Sequence, residues 1–190
     1  MQKVLVTGGL GYIGSHTVVE LQNAGFEVVI IDNLSNSSLE VLDGIIQITG
    51  KTPLFEKIDL RQKSEVIQFF EKHQDISGII HFAASKAVGE SVENPLLYYE
   101  NNLTTLIYLL QACNNYTIEN FIFSSSCTVY GEPDKLPINE SAPIKKATSP
   151  YGNTKQISEE ILNDFCKVSN LKSIALRYFN PIGAHDSSKI

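Results

Sequence analysis

The chain has 190 residues, 43% hydrophobic and 19% charged, the composition of an ordinary folded protein and the length of one domain. A net charge of −6 without any basic cluster argues against nucleic acid as the main partner, because phosphate binding needs gathered Lys and Arg. Three cysteines, Cys113, Cys127 and Cys166, lack metal-like spacing, so no metal is expected and a reduced, cytoplasmic setting fits best.

The first element is a strand, 3–6. Only three apolar residues follow Lys3 before Thr7-Gly8-Gly9, too few for an export signal or a membrane span. A glycine turn leads into a helix over 12–23. Strand 27–31, helix 39–48, strand 53–58, helix 63–72, strand 78–82, helix 95–114, strand 120–124, helix 151–168 and strand 173–178 follow. Short β-branched runs alternating with helices of this length predict βαβ units: an α/β, doubly wound parallel sheet with helices on both faces. Val28-Val29-Ile30-Ile31 is apolar throughout, as a strand covered on both faces should be, whereas Glu56 and Lys57 interrupt strand 53–58. Residues 131–150 carry Pro133, Pro137, Pro143 and Pro150 and predict a long irregular loop, a kind of segment that is often functional. Asp186-Ser187-Ser188-Lys189-Ile190 follows a strand and turn with no closing element, and the expectation is a truncated chain forming one dinucleotide-binding domain over 1–190.

The glycine turn carries the first chemistry. Gly9-Leu10-Gly11-Tyr12-Ile13-Gly14 has the spacing of a dinucleotide fingerprint, and Gly8 supplies the alternative spacing Gly8, Gly11, Gly14. Such a turn needs backbone close to a pyrophosphate and a glycine where helix meets strand, and the helix start offers free N–H groups to the phosphates. Glycine-rich turns are common, but here an apolar strand precedes and a helical pattern follows. Asp32 ends the second strand 18 residues beyond Gly14, where a carboxylate accepts hydrogen bonds from a ribose and repels a 2′-phosphate. That favours NAD over NADP, although Asp at this place also caps loops. Asp59 ends the third strand and is a candidate for the adenine end, with an ordinary turn residue as the alternative. Phe82-Ala83-Ala84 ends the fourth strand with small residues that let a cofactor lie close to the backbone.

Tyr151 and Lys155, four residues apart, share one helix face downstream of a serine strand end, Ser124-Ser125-Ser126. A free tyrosine titrates near ~10; a neighbouring ammonium and a cationic nicotinamide both favour the phenolate and are expected to lower that value. Ser126 is expected to hydrogen-bond the reacting hydroxyl. Alone, the Tyr-x-x-x-Lys spacing says little, since a tyrosine packed under a sheet edge and a solvated lysine would look the same. Cys127 reads as a small buried residue and His81 as a satisfied core histidine.

Taken together, Val4 to His16, Asp32-Asn33-Leu34, His81 to Val92, Tyr98 to Asn102, Phe121 to Gly131 and Arg177 to Ala184 resemble the extended short-chain dehydrogenases/reductases over essentially all 190 residues. Within that family the chain is most similar to the nucleotide-sugar 4-epimerases that interconvert UDP-glucose and UDP-galactose. The resemblance implies NAD contacts at Tyr12, Ile13, Asp32, Asn33, Asn36, Ser37, Asp59, Leu60, Phe82, Ala83, Lys86, Asn101, Tyr151, Lys155 and Phe179. It implies nucleotide-sugar contacts at Ser126 and Asn180, with Tyr151 as the base that takes the sugar 4-hydroxyl proton. It further implies NAD kept as a prosthetic group, a 4-keto intermediate, and a homodimer through helices 95–114 and 151–168. Nucleotide-sugar dehydratases of this kind carry acids just after the strand-end serine, whereas this chain reads Ser126-Cys127-Thr128. Another nucleotide-sugar epimerase or a decarboxylase of the family stays open at this point, as does a non-catalytic NAD-binding module. Such epimerases are longer than this chain, so the expectation is NAD binding with little or no turnover.

Overall fold

The computed structural model describes residues 2–190. Its elements are β1 (Lys3–Thr7), α1 (Tyr12–Asn23), β2 (Glu27–Asp32), α2 (Glu40–Thr49), β3 (Leu54–Lys57), α3 (Lys63–Lys72), β4 (Ile76–His81), α4 (Val88–Glu93), α5 (Pro95–Asn115), β5 (Asn120–Ser124), α6 (Pro150–Val168) and β6 (Lys172–Leu176), with a single 3₁₀ turn at Cys127–Tyr130. All five strand pairings are parallel, in the order β3-β2-β1-β4-β5-β6. That is the doubly wound arrangement expected from the strand–helix alternation.

Alternation along the strands divides the interior into two cores. Leu5, Val29, Ile31, Ile79, Phe121 and Phe123 point to one face, where they meet Val66, Phe69 and Phe70 of α3, Leu106, Leu109 and Leu110 of α5 and Leu162 of α6. Val6, Val28, Ile30 and Ile80 point to the other, against Val18 and Val19 of α1 and Ile45 of α2. A strand sandwiched this way favours apolar residues on both sides, and β2 is buried from Val28 onwards, with the hydrogen-bonded Asp32 as the polar residue at its end. The second face is covered only over β1, β2 and β4. Towards β6 it opens, leaving Ile174 at 61% and Leu176 at 40% exposure.

Helix ends follow local chemistry. Pro95 and Pro150 occupy first-turn positions, where a missing N–H costs nothing, and the Ser149 hydroxyl accepts from the Gly152 N–H at 3.1 Å to cap α6. Gly50 closes α2 in the left-handed region at φ 67°. The 131–149 stretch contains no helix or strand, as its prolines foretold, but Pro150, expected within that loop, is the first residue of α6. Two short elements were not foreseen. Helix α4 is a six-residue turn without an apolar stripe, and the 3₁₀ turn begins where the Ser126 hydroxyl accepts from the Thr128 N–H.

Phe121 is 1% exposed at the centre of the larger core, so Phe121→Ala should lower unfolding free energy by about 3–5 kcal/mol in urea titration. Ile174→Ala, on the open face, should change it by about 0.5 kcal/mol or less.

Candidate active site

The strand order reverses about β1: β2 and β3 lie to one side, β4, β5 and β6 to the other. Loops leaving the carboxyl ends of β1 and β4 therefore diverge, and a crevice opens between them. It is a cleft of about 900 Å³ that draws on both halves of the sheet. All the residues singled out from the sequence for cofactor or substrate line it: Gly8, Gly11, Tyr12, Ile13, Gly14, Asp32, Asn33, Asn36, Ser37, Asp59, Leu60, Phe82, Ala83, Ala84, Lys86, Asn101, Ser126, Tyr151, Lys155, Phe179 and Asn180.

At the glycine turn the backbone has no room to spare. Gly8 sits at φ +66°, and a Cβ there would come within 2.8 Å of the Ala83 nitrogen. A Cβ at Gly14 would fall 2.2 Å from the Gly8 carbonyl oxygen. These two positions let β1, β4 and α1 converge on one point. Gly11 caps α1 without a side-chain bond, so the first N–H groups of the helix face the cleft with the positive end of the helix dipole. Gly9 has a different task, packing against Ile30 rather than lining the cleft.

Asp32 organises the next part of the wall. One carboxylate oxygen accepts from the Leu10 N–H at 3.2 Å. The other accepts from the Leu34 N–H at 3.0 Å and the Ser37 hydroxyl at 2.8 Å. One buried acid thus ties the glycine turn to the loop after β2. Asp59 is held differently. Arg61 grips it through Nε and Nη2 at 3.0 and 2.6 Å, and that guanidinium, with further help from backbone and Asn33 bonds, keeps the carboxyl below its usual range against the opposing effect of burial. Arg61 also lines the cleft and was not foreseen; its signal was an arginine two residues past a strand-end acid.

Across the cleft, Asn102 staples the segment after β4 to α6. Its amide oxygen accepts from the Ser85 N–H at 2.8 Å, and its nitrogen donates to the Ser85 carbonyl and the Thr154 hydroxyl at 3.0 and 3.1 Å. Asn101 donates to the Ser85 hydroxyl at 2.8 Å. Tyr98, fully buried, accepts from the Ala87 N–H and donates to Glu90, which fixes α4 over the cleft. Glu90, Ser85, Ser124, Tyr178 and Pro181 join the lining without having been singled out beforehand. Ser85, Ser124, Tyr178 and Pro181 neighbour residues already named, whereas Glu90 is brought in by α4.

Ser126, Tyr151 and Lys155 meet at one end. Lys155 is 3% exposed; its Nζ donates to the Ser124 carbonyl at 2.8 Å and lies 4.8 Å from the Phe123 ring centroid and 5.7 Å from that of Tyr151. Burial pulls its pKa down to about 8, against a smaller upward pull from Glu159. For Tyr151, burial is the largest influence and pushes the phenol up, while the Ser126 hydroxyl beside it pulls down. The expected net lowering of Tyr151 by its neighbours is therefore not met by the protein's own groups, because desolvation of the phenolate outweighs them. Tyr178 holds the serine strand end through a short contact with the Ser124 hydroxyl, and its carbonyl accepts from the Cys127 N–H at 3.1 Å. His81 is buried against the Thr7 hydroxyl at 2.7 Å, and burial, aided by Lys155, pushes it down to about 3, a neutral core histidine as expected. Among the described residues no cluster of potential metal ligands occurs.

Residues 4–190 match the NAD dependent epimerase/dehydratase family. The chain is 52% identical over 188 residues to UDP-glucose 4-epimerase of Bacillus subtilis, covering 98% of this chain and 55% of that protein. To UDP-glucose 4-epimerase of Mus musculus it is 47% identical, covering 100% and 56%. The structure superposes on UDP-glucose 4-epimerase from Bifidobacterium longum, solved with NAD+ and UDP, with a TM-score of 0.97 at 44% identity, covering 100% of this chain and 56% of that one. The chain thus spans about half the length of the curated relatives it matches. By sequence along nearly its whole length, and by a sheet that overlays that of its relatives, the chain belongs to the NAD dependent epimerase/dehydratase family.

Proposed function

We propose that this chain holds NAD across the carboxyl ends of its strands and works on the C4 carbinol of a UDP-linked hexose, interconverting UDP-glucose and UDP-galactose. One observation carries the reading: the glycine turn, the Asp32 carboxylate and the Ser126–Tyr151–Lys155 group, far apart in sequence, line one cleft. The bound NAD+ and UDP of the Bifidobacterium longum relative support it.

The residues present fit a dinucleotide. The glycine cradle excludes even a methyl group at Gly8 and Gly14, which leaves backbone alone to face a pyrophosphate. Gly11, Tyr12 and Ile13 would hold that pyrophosphate at the start of α1. Asp32 would accept from the adenosine ribose, and Asn33, Asn36, Ser37, Asp59 and Leu60 would enclose the adenosine. Phe82, Ala83, Ala84, Lys86, Asn101 and Phe179 would flank the nicotinamide half. When bound, NAD supplies a reversible hydride acceptor together with a positively charged ring.

The chain's own groups handle the proton and the sugar. Tyr151 takes the 4-hydroxyl proton, and Ser126 and Asn180 orient the sugar, Ser126 bonding the same oxygen as it becomes a carbonyl. Lys155, buried against the Tyr151 ring, supplies the positive charge that favours the phenolate. A 4-keto sugar must then present its other face before the proton returns through Tyr151. The place after Ser126 holds Cys127 and Thr128, which offer no acid for elimination, so epimerisation fits better than dehydration. Phe179 at 58% and Ile182 at 95% exposure leave the substrate side open to water. Because remote binding energy drives the chemistry of such sites, these 190 residues should bind NAD well and turn over slowly.

The protein also fits a cytoplasmic homodimer. Its cysteines are free, and among the described residues no helix is long and apolar enough to cross a membrane. Helix α5 buries Leu106, Leu109 and Leu110 in the larger core while Leu96 and Ile107 remain 80% and 39% exposed. A second copy laid on α5 and α6 would cover them.

Calorimetric titration should show NAD binding, weakened about tenfold or more in Asp32→Asn through loss of charge-assisted ribose bonds, about 1.5–3 kcal/mol. Failure of the wild-type chain to bind NAD would sink the proposal. Tyr151→Phe should slow reduction of bound NAD by a nucleotide sugar about 10²–10⁴-fold in single turnover, with NAD affinity little changed. Rapid steady-state turnover of UDP-galactose by the 190-residue chain would contradict the expected slow turnover. Sedimentation should show a dimer that Ile107→Glu converts to monomer; a wild-type monomer at micromolar concentration would refute the assembly.

A further inference from the structure

Where α6 passes the ends of β5 and β6, a buried acid that takes no part in the chemistry above joins all three. Glu159 is 7% exposed, one helical turn beyond Lys155. Arg177, just past β6, grips its carboxylate through Nε at 2.9 Å and Nη2 at 2.6 Å. The Ser125 hydroxyl, just past β5, donates to the same carboxylate at 2.5 Å. Arg177 in turn lies 5.0 Å from the Tyr130 ring centroid, on the 3₁₀ turn that Ser126 begins.

The consequence lies in what each tethered segment carries. Ser125 directly precedes Ser126. Arg177 precedes Tyr178, Phe179 and Asn180, all of which line the cleft. The helix presents Tyr151 and Lys155. One carboxylate therefore sets the spacing between the serine strand end, the sugar-side segment and the Tyr–Lys face. Among the described residues it is also the carboxylate that acts on Lys155, which further meets the Ser124 carbonyl and the Phe123 and Tyr151 rings.

We propose that Glu159 is a positioning residue for the redox site, locking Ser126 and the 178–180 segment onto α6 and supplying the counter-charge that keeps the buried Lys155 an ammonium. The inference rests on the functional reading above only for the purpose that ammonium serves; the lock itself is a matter of contacts.

Groups facing Lys155 can be named from every side. Tyr151 and Glu159 lie on its own helix, neutral His81 on β4, and the Ser124 carbonyl and Phe123 ring on β5. Arg177 reaches it only through Glu159. Asp32, Asp59, Arg61, Lys86 and Glu90 belong to the wall of the same cleft and are unchanged among the variants compared. A negative neighbour favours the charged form of an amine, so removing it must lower the lysine's pKa, and removing a positive neighbour must not.

Isotope-labelled lysine NMR on the NAD-free chain reads this directly. One resonance, lost in Lys155→Met, should titrate near 8, well below the surface lysines near ~10.4. In Glu159→Gln that titration should move to lower pH. In Arg177→Gln, which breaks the same ion pair and loosens the same strand ends, it should stay or move to higher pH. A merely structural role would move Lys155 in the same direction in both variants, or in neither, and either result overturns the proposal. Should an unpaired charge unfold a single variant, the doubly neutral Glu159→Gln/Arg177→Gln chain decides: a lowered titration supports the proposal and an unmoved one refutes it. Absence of NAD binding by the wild type would sink the functional reading while leaving this titration readable.

Discussion

The reversal of strand order at β1 is the constraint on which the rest of the molecule depends. A right-handed crossover from β1 through α1 to β2 places one helix over one face, and the return to β4 places the next helices over the other. Two neighbouring strands thereby send their following loops in opposite directions, and the space between them cannot be filled by either. That space is usable only because the backbone at Gly8 and Gly14 comes within reach of Ala83 and of itself, distances that a single added carbon would forbid. Steric exclusion, more than any attraction, shapes the glycine-turn end of the cleft.

At the opposite end the governing physics is electrostatic. A lysine buried to 3% exposure in a wall of aromatic rings would ordinarily give up its proton. Here a carbonyl and a carboxylate one turn away hold it only partly against that tendency. A tyrosine that burial makes less acidic stands beside it. The two groups are thus poised towards each other: each carries a proton whose hold depends on charge in the cleft, and a cationic ring laid there would favour loss from the phenol. Buried Asp32 and paired Asp59 do the contrary work towards β2 and β3, where their bonds to backbone and side-chain donors set shape rather than reactivity.

The sheet is unevenly covered, and the unevenness has functional direction. Helices α3, α5 and α6 blanket one face, while on the other α1 and α2 stop short of β6. The open corner lies beside the segment from Tyr178 to Ile182, which leans over the cleft from β6 and is anchored at the glycine turn by the Tyr12 hydroxyl, donating to the Gly183 carbonyl at 2.6 Å. The two ends of the cleft therefore differ in kind. At the glycine turn it is built from tight backbone and the buried Asp32, and beside β6 from a strap of chain whose side chains, such as Phe179, are more exposed.

Much of this was legible in the sequence. Strand–helix alternation and the continuous apolar run at Val28–Ile31 determined the parallel sheet, because a strand covered on both faces favours apolar side chains on both sides. Glycines at 8, 11 and 14, followed eighteen residues later by Asp32, marked the phosphate turn, because no other residue type permits that approach. Serine, tyrosine and lysine in that order marked the chemistry through their resemblance to a family. Tertiary structure alone decided the rest: that Asn102 staples Ser85 to Thr154, that Tyr98 and Glu90 seat α4, and that Glu159 gathers Ser125 and Arg177. Each of those is a polar contact between residues whose separation in sequence carries no period, and burial, not pattern, chooses which side chains must find one another.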